Sequence, residues 1–157
     1  MKRSITTAIV FAASAYAVSA GEVAPTEVSF SDGTIETSLT GTPGDPAKGR
    51  EVFSSRSLGN CVACHTSEDL ADVPFHGDIG PPMDGAGDRW SEAELRGIVS
   101  DAKQMFYGTM MPSFYKTEGF VRPGNAFSGK AADDSFGPLL TAQQVEDVVA
   151  YLVTLKE

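Results

Sequence analysis

Cys61-Val62-Ala63-Cys64-His65 is the stretch that decides the fold, because it contains both cysteines of the 157-residue chain. Two cysteines separated by two residues would close only a very short disulfide loop, which removes little entropy from the unfolded chain. We therefore expect the pair to carry chemistry rather than to staple a domain. Three uses fit the spacing: covalent haem attachment, a redox-active dithiol, or part of a zinc site.

The residue that follows the second cysteine favours haem attachment. His65 completes the C-x-x-C-H pattern, in which two thiols bind the vinyl groups along one porphyrin edge and the imidazole becomes the proximal iron ligand. A dithiol motif should follow a strand, whereas residues 54–60 are polar and read as a loop. A zinc site needs four ligands, and His76 is the only further Cys or His. The sequence therefore predicts one haem c, covalently attached through Cys61 and Cys64.

The N-terminal residues have the pattern of an export signal. Lys2 and Arg3 precede an uncharged run that ends in Val18-Ser19-Ala20, so residues 1–20 are predicted to be a cleaved signal peptide. The uncharged run has the minimum length for spanning a bilayer, which leaves an uncleaved anchor as the alternative. Cleavage would change the net charge from −9 to −11, and so much negative charge disfavours nucleic acid and anionic membranes as partners. We expect a periplasmic protein without membrane insertion after cleavage.

Three segments of the remaining chain are predicted to be helices. The first spans about Pro46–Ser54 behind an Asp45 cap and leads directly into the cysteine motif. The second opens at Ser91 and the third at Thr141, each with a Glu or Gln three residues later that completes a capping box. The apolar residues of the last helix recur at helical spacing: Val145, Val148, Val149, Leu152 and Val153.

This order of elements indicates the fold class. A helix before the motif and an amphipathic helix at the end match a small cytochrome, in which the first and last helices cross beside the haem. We therefore predict an all-α, small class I-like cytochrome c fold over residues 45–157, with few short helices and long loops wrapped around one covalent haem. Residues 21–44 are rich in Thr, Ser, Gly and Pro and are interpreted as an extended arm.

The second axial ligand of the iron has to come from outside the motif. His76 and Met83 follow His65 too closely to reach the opposite face of the haem, so a surface histidine and a packing methionine are expected there. Met105 ends the second helix, where a core residue is expected. Met110 and Met111 remain as ligands.

Met111 is the preferred ligand of these two. Pro112 follows it, and the fixed backbone angle of proline favours a rigid extended loop that can aim the preceding side chain. Met111 follows His65 by 46 positions, which suffices to cross to the distal face. Met110 stays the alternative. His/Met ligation would raise the reduction potential relative to a bis-His site.

Several residues near the motif are expected to support it. Pro81, within Gly80-Pro81-Pro82, is expected to accept a hydrogen bond from the proximal histidine on its carbonyl, which is compatible with a simple turn. Trp90 is expected in the core, or beside Arg89 facing a haem propionate. The aromatic residues after Met111 are interpreted mainly as packing of the distal loop, with a docking surface as the alternative: Phe114, Tyr115, Phe120, Phe127 and Phe136.

The same motifs, in order, resemble the SoxX family over roughly residues 28–156. The resemblance rests on 40–46 (TGTPGDP) with Gly49-Arg50, 59–65 (GNCVACH), 77–81 (GDIGP), 87–95 (GDRWSEAEL), 111–115 (MPSFY), 117–119 (TEG) and 140–152 (LTAQQVEDVVAYL). The runs 87–95 and 111–115 distinguish this family from other C-x-x-C-H cytochromes. Two features depart from the family: the Met110-Met111 pair and the insertion-like residues 131–136.

The resemblance implies a heterodimer with the cytochrome SoxA, in the thiosulfate-oxidising SoxAX complex, an L-cysteine S-thiosulfotransferase. There thiosulfate is joined to a cysteine of a SoxYZ-type carrier, and this chain would accept the electrons and pass them to a downstream small cytochrome c. With both cysteines used as thioethers no free thiol remains, so the sulfur chemistry is expected in SoxA and no catalytic residue in this chain. A free-standing soluble electron-shuttle cytochrome is the alternative.

Overall fold

The computed structural model describes residues 21–121, 123 and 130–157, so the expected signal peptide and Phe127 lie outside it. In these ranges the four α-helices are Pro46–Ser54 (α1), Ala86–Arg89 (α2), Glu92–Asp101 (α3) and Ala142–Thr154 (α4). Short 3-10 turns and loops join them, and the only β pairing described is one isolated bridge. The predicted all-α class is confirmed. None of the described helices is both long enough and apolar enough to cross a membrane.

The helices begin at the residues whose side chains cap them. Asp45 accepts hydrogen bonds from two backbone N–H groups in the first turn of α1. Reciprocal capping boxes open the other two long helices, at Ser91 with Glu94 and at Thr141 with Gln144. All three predicted starts are confirmed, because a cap depends only on residues that are close in sequence. Helix α2 was not predicted, since four residues are too few to show an apolar period.

Helices α1 and α4 cross with their backbones almost touching. A Cβ atom on Gly49 would lie 1.9 Å from the carbonyl oxygen of Asp147, so only glycine permits this approach. One turn further along α1, Phe53 packs edge-on against Tyr151 with ring centroids 5.6 Å apart. The crossing is the arrangement expected of a small cytochrome. It fixes the end of α1, and therefore the start of the cysteine motif, against the last helix.

A buried ion pair joins α3 to α4. Arg96 Nε donates to Glu146 Oε1 at 2.9 Å, and both residues are almost fully buried. Burial alone would lower the pKa of Arg96, but the hydrogen bonds and negative charges of Glu146 and Glu92 together outweigh burial and raise that pKa. Arg96 also donates to Glu92 within α3. The segment 21–44 adds two further hydrogen bonds, since Leu39 N–H donates to Glu146 and Arg96 donates to the carbonyl of Ile35.

The segment 21–44 is thus part of the packed structure. It contains no α-helix, as expected of an extended arm, but its Ile35 and Leu39 side chains are buried in the core. The backbone at Gly33 lies so close to α3 that a Cβ on Gly97 would be 1.9 Å from the Gly33 carbonyl oxygen. The segment therefore lies along α3 and α4.

Candidate haem site

The loop of residues 77–83 runs beside the cysteine motif and is tied to it by backbone hydrogen bonds. These bonds join Gly77 N–H to the carbonyl of Val62 at 2.8 Å, Gly80 N–H to that of Cys64 at 2.8 Å, and Met83 N–H to that of Thr66 at 2.9 Å. Because backbone bonds of this kind do not depend on side-chain rotamers, the loop has a fixed position relative to the motif. This places Pro81 beside His65.

His65 is held by the loop in one orientation. Its Nδ1 lies 2.8 Å from the carbonyl oxygen of Pro81, which is the contact expected from the sequence. A carbonyl can only accept, so Nδ1 carries the proton and the lone pair is on Nε2. Gly80 lies against the ring: a Cβ there would be 2.2 Å from Cε1 and 2.5 Å from Nδ1. The arrangement is that of a metal-ligating histidine, which donates its other ring N–H to a backbone carbonyl.

Both cysteines are half-buried. Burial raises the pKa of Cys61 to about 12, so its thiol is protonated at neutral pH and a poor nucleophile. This speaks against the redox-active dithiol. In the described part of the chain, no group of three or more His, Cys, Asp or Glu side chains is arranged to hold a metal ion.

The two methionine candidates differ in burial. Met110 is 78% exposed, whereas Met111 is half-buried and packs against the core. The backbone of Met111 is held on both sides, because its N–H donates to Thr109 Oγ1 at 3.2 Å and its carbonyl accepts from Lys103 Nζ at 2.5 Å. This difference in burial and attachment favours Met111 as the second ligand.

The loop after Met111 is anchored to the end of α3 by Asp101. The Asp101 carboxylate accepts from Ser113 Oγ at 2.6 Å, from Lys116 Nζ at 2.9 Å and from Gln104 Nε2 at 3.1 Å. Burial alone would raise the pKa of Asp101, but these hydrogen bonds outweigh burial and hold that pKa below its usual value. This role of Asp101 was not predicted, because no local sequence signal marks it.

The three other residues considered as iron ligands, His76, Met83 and Met105, are all half-buried and contact other parts of the protein. His76 was expected at the surface, but it is half-buried: its Nδ1 accepts from Ser67 N–H, and its Nε2 is buried without a hydrogen-bond partner in the described part of the chain. The surface interpretation was wrong, because the ring turns inward and accepts from the backbone at Ser67. Met83 packs against the core as expected. Met105 is half-buried and contacts Gly33.

The described aromatic residues that follow Met111 pack against other side chains. Phe114 and Tyr115 are buried, and Phe120 meets Phe136 edge-on with ring centroids 5.8 Å apart. Trp90 is half-buried at the edge of the core. Its neighbour Arg89 donates to the carbonyls of Pro82 and Asp84 at 2.7 and 2.5 Å, in the loop that follows Pro81.

These residues fit one covalently attached haem. Two thiols lie three positions apart at a short 3-10 turn, next to an imidazole whose Nδ1 is engaged and whose Nε2 is free to ligate. A half-buried thioether stands in a second, separately anchored loop. The fold and this donor set define a mono-haem c-type cytochrome.

Comparisons with known proteins agree with this class. Residues 46–156 match the family model described as Cytochrome c. The chain is 60% identical to a chain of the SoxXA crystal structure from P. pantotrophus, with a TM-score of 0.83, and the match covers 87% of this chain and 100% of that one. The c-type cytochrome SorU from Sinorhizobium meliloti is 23% identical, with a TM-score of 0.40 and coverage of 71% and 90%. No curated protein matches the chain significantly. The chain belongs to the cytochrome c family, and within it to the SoxX cytochromes.

Proposed function

We propose that this chain is the electron-transfer subunit of a SoxAX-type complex, an L-cysteine S-thiosulfotransferase, and forms a heterodimer with a SoxA-type cytochrome. One observation carries the proposal: the 60% identity to a chain of SoxXA extends over the whole of that chain. The chain would accept electrons released when thiosulfate is coupled to a cysteine of a SoxYZ-type carrier. It would then pass them to a downstream small cytochrome c.

The residues of the site take defined roles in this proposal. Cys61 and Cys64 form the thioethers, His65 is the proximal ligand and Met111 the distal one. Pro81 accepts the Nδ1 proton of His65, which orients the ring and makes it a stronger donor to the iron. When bound, haem supplies the one-electron couple.

The sulfur chemistry would take place in the partner. Coupling of a thiol to thiosulfate forms an S–S bond and releases one proton and two electrons, and a mono-haem chain can accept these electrons only one at a time. After haem attachment no thiol of this chain remains for a sulfur intermediate. Its second histidine, His76, is half-buried and contacts the backbone at Ser67 rather than a nucleophile.

The domain division and location follow from the sequence. We propose residues 1–20 as a signal peptide cleaved on export to the periplasm, 21–44 as an arm that serves the cytochrome domain, and 45–157 as that domain. The burial of Ile35 and Leu39 supports a structural role for the arm.

The proposal is tested on the protein purified untagged from its native periplasm. We expect a c-type spectrum, haem stain on the denatured chain, and a native complex that contains a second haem-stained chain. The same spectrum from a particle of monomer mass would favour the free-standing shuttle. A chain without covalent haem would contradict both functions.

A further inference from the structure

The loop that carries Met111 depends on one buried carboxylate. Ser113 and Lys116 follow Met111 by two and five residues, and both donate to Asp101, at 2.6 and 2.9 Å. Asp101 is only 2% exposed and its contact with Ser113 is buried, so water cannot easily replace that donor, whereas Lys116 is half-buried. Two backbone bonds run alongside, from Tyr115 N–H to the carbonyl of Ser100 and from Leu140 N–H to that of Phe114. The end of α3 therefore determines where this loop lies.

We propose that Asp101 is the positioning residue of the distal ligand: its carboxylate holds residues 111–116 so that Met111 stays on the ferric iron. The inference rests on the proposed ligand role of Met111. A thioether is a soft ligand and binds the harder ferric iron less well than ferrous iron. Retention of the ferric bond therefore depends on a loop that already holds the sulfur in place, since a pre-positioned ligand loses less conformational entropy on binding.

The side-chain contact from Lys103 to this loop is weaker as an anchor. Lys103 reaches the carbonyl of Met111, but its side chain lies at the surface, where water and salt compete with the contact. The contact between Asp101 and Ser113 is buried, so a Ser113 hydroxyl that loses this carboxylate bears the cost of desolvation. For this reason we expect Asp101, rather than Lys103, to determine how often the loop releases Met111.

The test is the substitution Asp101→Asn in the haem-loaded protein at neutral pH. The amide has nearly the same shape, but it has one accepting oxygen, and its NH₂ group faces Ser113 or the Lys116 cation. We expect the ferric Met–iron charge-transfer band at about 700 nm to weaken or disappear while the ferrous spectrum is unchanged. Imidazole added to the ferric protein should bind about tenfold more tightly, because its apparent affinity rises with the fraction of protein in which Met111 is off the iron.

Asp147→Asn is the matched control. Asp147 is a carboxylate buried to a similar degree, 4% exposed, that accepts from Asp45 N–H at 2.8 Å and Gln143 Nε2 at 3.0 Å beside the α1–α4 crossing. It is expected to cost stability but to leave the band and the imidazole affinity unchanged. A general loss of stability would instead change both variants alike.

Each outcome decides the question. An intact band and wild-type imidazole affinity in Asp101→Asn would overturn the proposal, as would an equal gain of affinity in Asp147→Asn. Ser113→Ala should change both readouts in the same direction by a smaller factor, and it decides the matter if Asp101→Asn yields no holoprotein. If the wild-type protein lacks the charge-transfer band, the ligand role of Met111 fails and the inference fails with it. If the wild-type band is present but does not change in Asp101→Asn, only the inference about Asp101 fails.

Discussion

Replacement of Gly80 by alanine tests how the proximal histidine is held. The added Cβ would lie 2.2 Å from Cε1 of His65, whereas ordinary van der Waals contact begins at 3.4 Å, so the ring and the loop must separate by about 1.2 Å. The bond between His65 Nδ1 and the Pro81 carbonyl, now 2.8 Å, then stretches to about 4 Å, which is too long for a hydrogen bond. The backbone φ of Gly80 is outside the left-handed region, so the effect comes from steric contact alone.

Two quantities should change in Gly80→Ala. Without the carbonyl partner the imidazole becomes a weaker donor and favours ferrous iron, so the midpoint potential rises. A hydrogen bond of about 1 kcal/mol corresponds to at most about 40 mV for one electron. The variant also weakens the bond from Gly80 N–H to the Cys64 carbonyl, so the free energy of unfolding should fall by about 2 kcal/mol.

Potentiometric titration and urea unfolding of the holoprotein measure these changes. Gly137→Ala is the control, because a Cβ at Gly137 meets no atom within 4 Å. It should leave both quantities at the wild-type values. A midpoint that stays constant or falls in Gly80→Ala, together with wild-type stability, would refute the reasoning from the ring contact.

Three further predictions concern the distal ligand, the helix crossing and acid stability. Met111→Leu should abolish the ferric charge-transfer band, whereas Met110→Leu should retain it because Met110 is exposed. Visible spectra of the two ferric variants measure the band, and the reverse result would assign Met110 as the ligand. Gly49→Ala should cost about 3 kcal/mol of unfolding free energy by urea titration, since its Cβ would overlap a carbonyl on α4; a loss below about 1 kcal/mol would contradict the close crossing. The lowered pKa of Asp101 means that its contribution to stability is complete above its unfolded pKa of about 3.9 and is lost as pH falls through the folded pKa. Unfolding curves between about pH 2 and 6 should therefore fall less steeply toward acid in Asp101→Asn than in wild type.

Local features of this protein were predictable from its sequence. The three long helices start where Asp45, Ser91 and Thr141 cap them, because capping involves only neighbouring residues. The contact between His65 and Pro81 was also expected, since it joins two short motifs whose relative placement recurs in small cytochromes.

Contacts between remote segments were not predictable in the same way. The composition of residues 21–44 suggests an arm, and nothing in it shows that Ile35 and Leu39 are buried beside the Arg96–Glu146 pair. The expected surface position of His76 was wrong for the same reason, because its contact with the Ser67 N–H leaves no mark on the local sequence.

The sequence by itself determined the cofactor, its attachment residues and the starts of the three long helices, because a C-x-x-C-H motif and a helix cap are complete within a few residues. Only the tertiary structure showed that Met110 is exposed and Met111 half-buried, and brought Asp101 to Ser113 and Lys116. The physical reason is that burial and anchoring depend on how the loop folds back on α3. The different exposure of these two adjacent methionines arises only when that loop is packed.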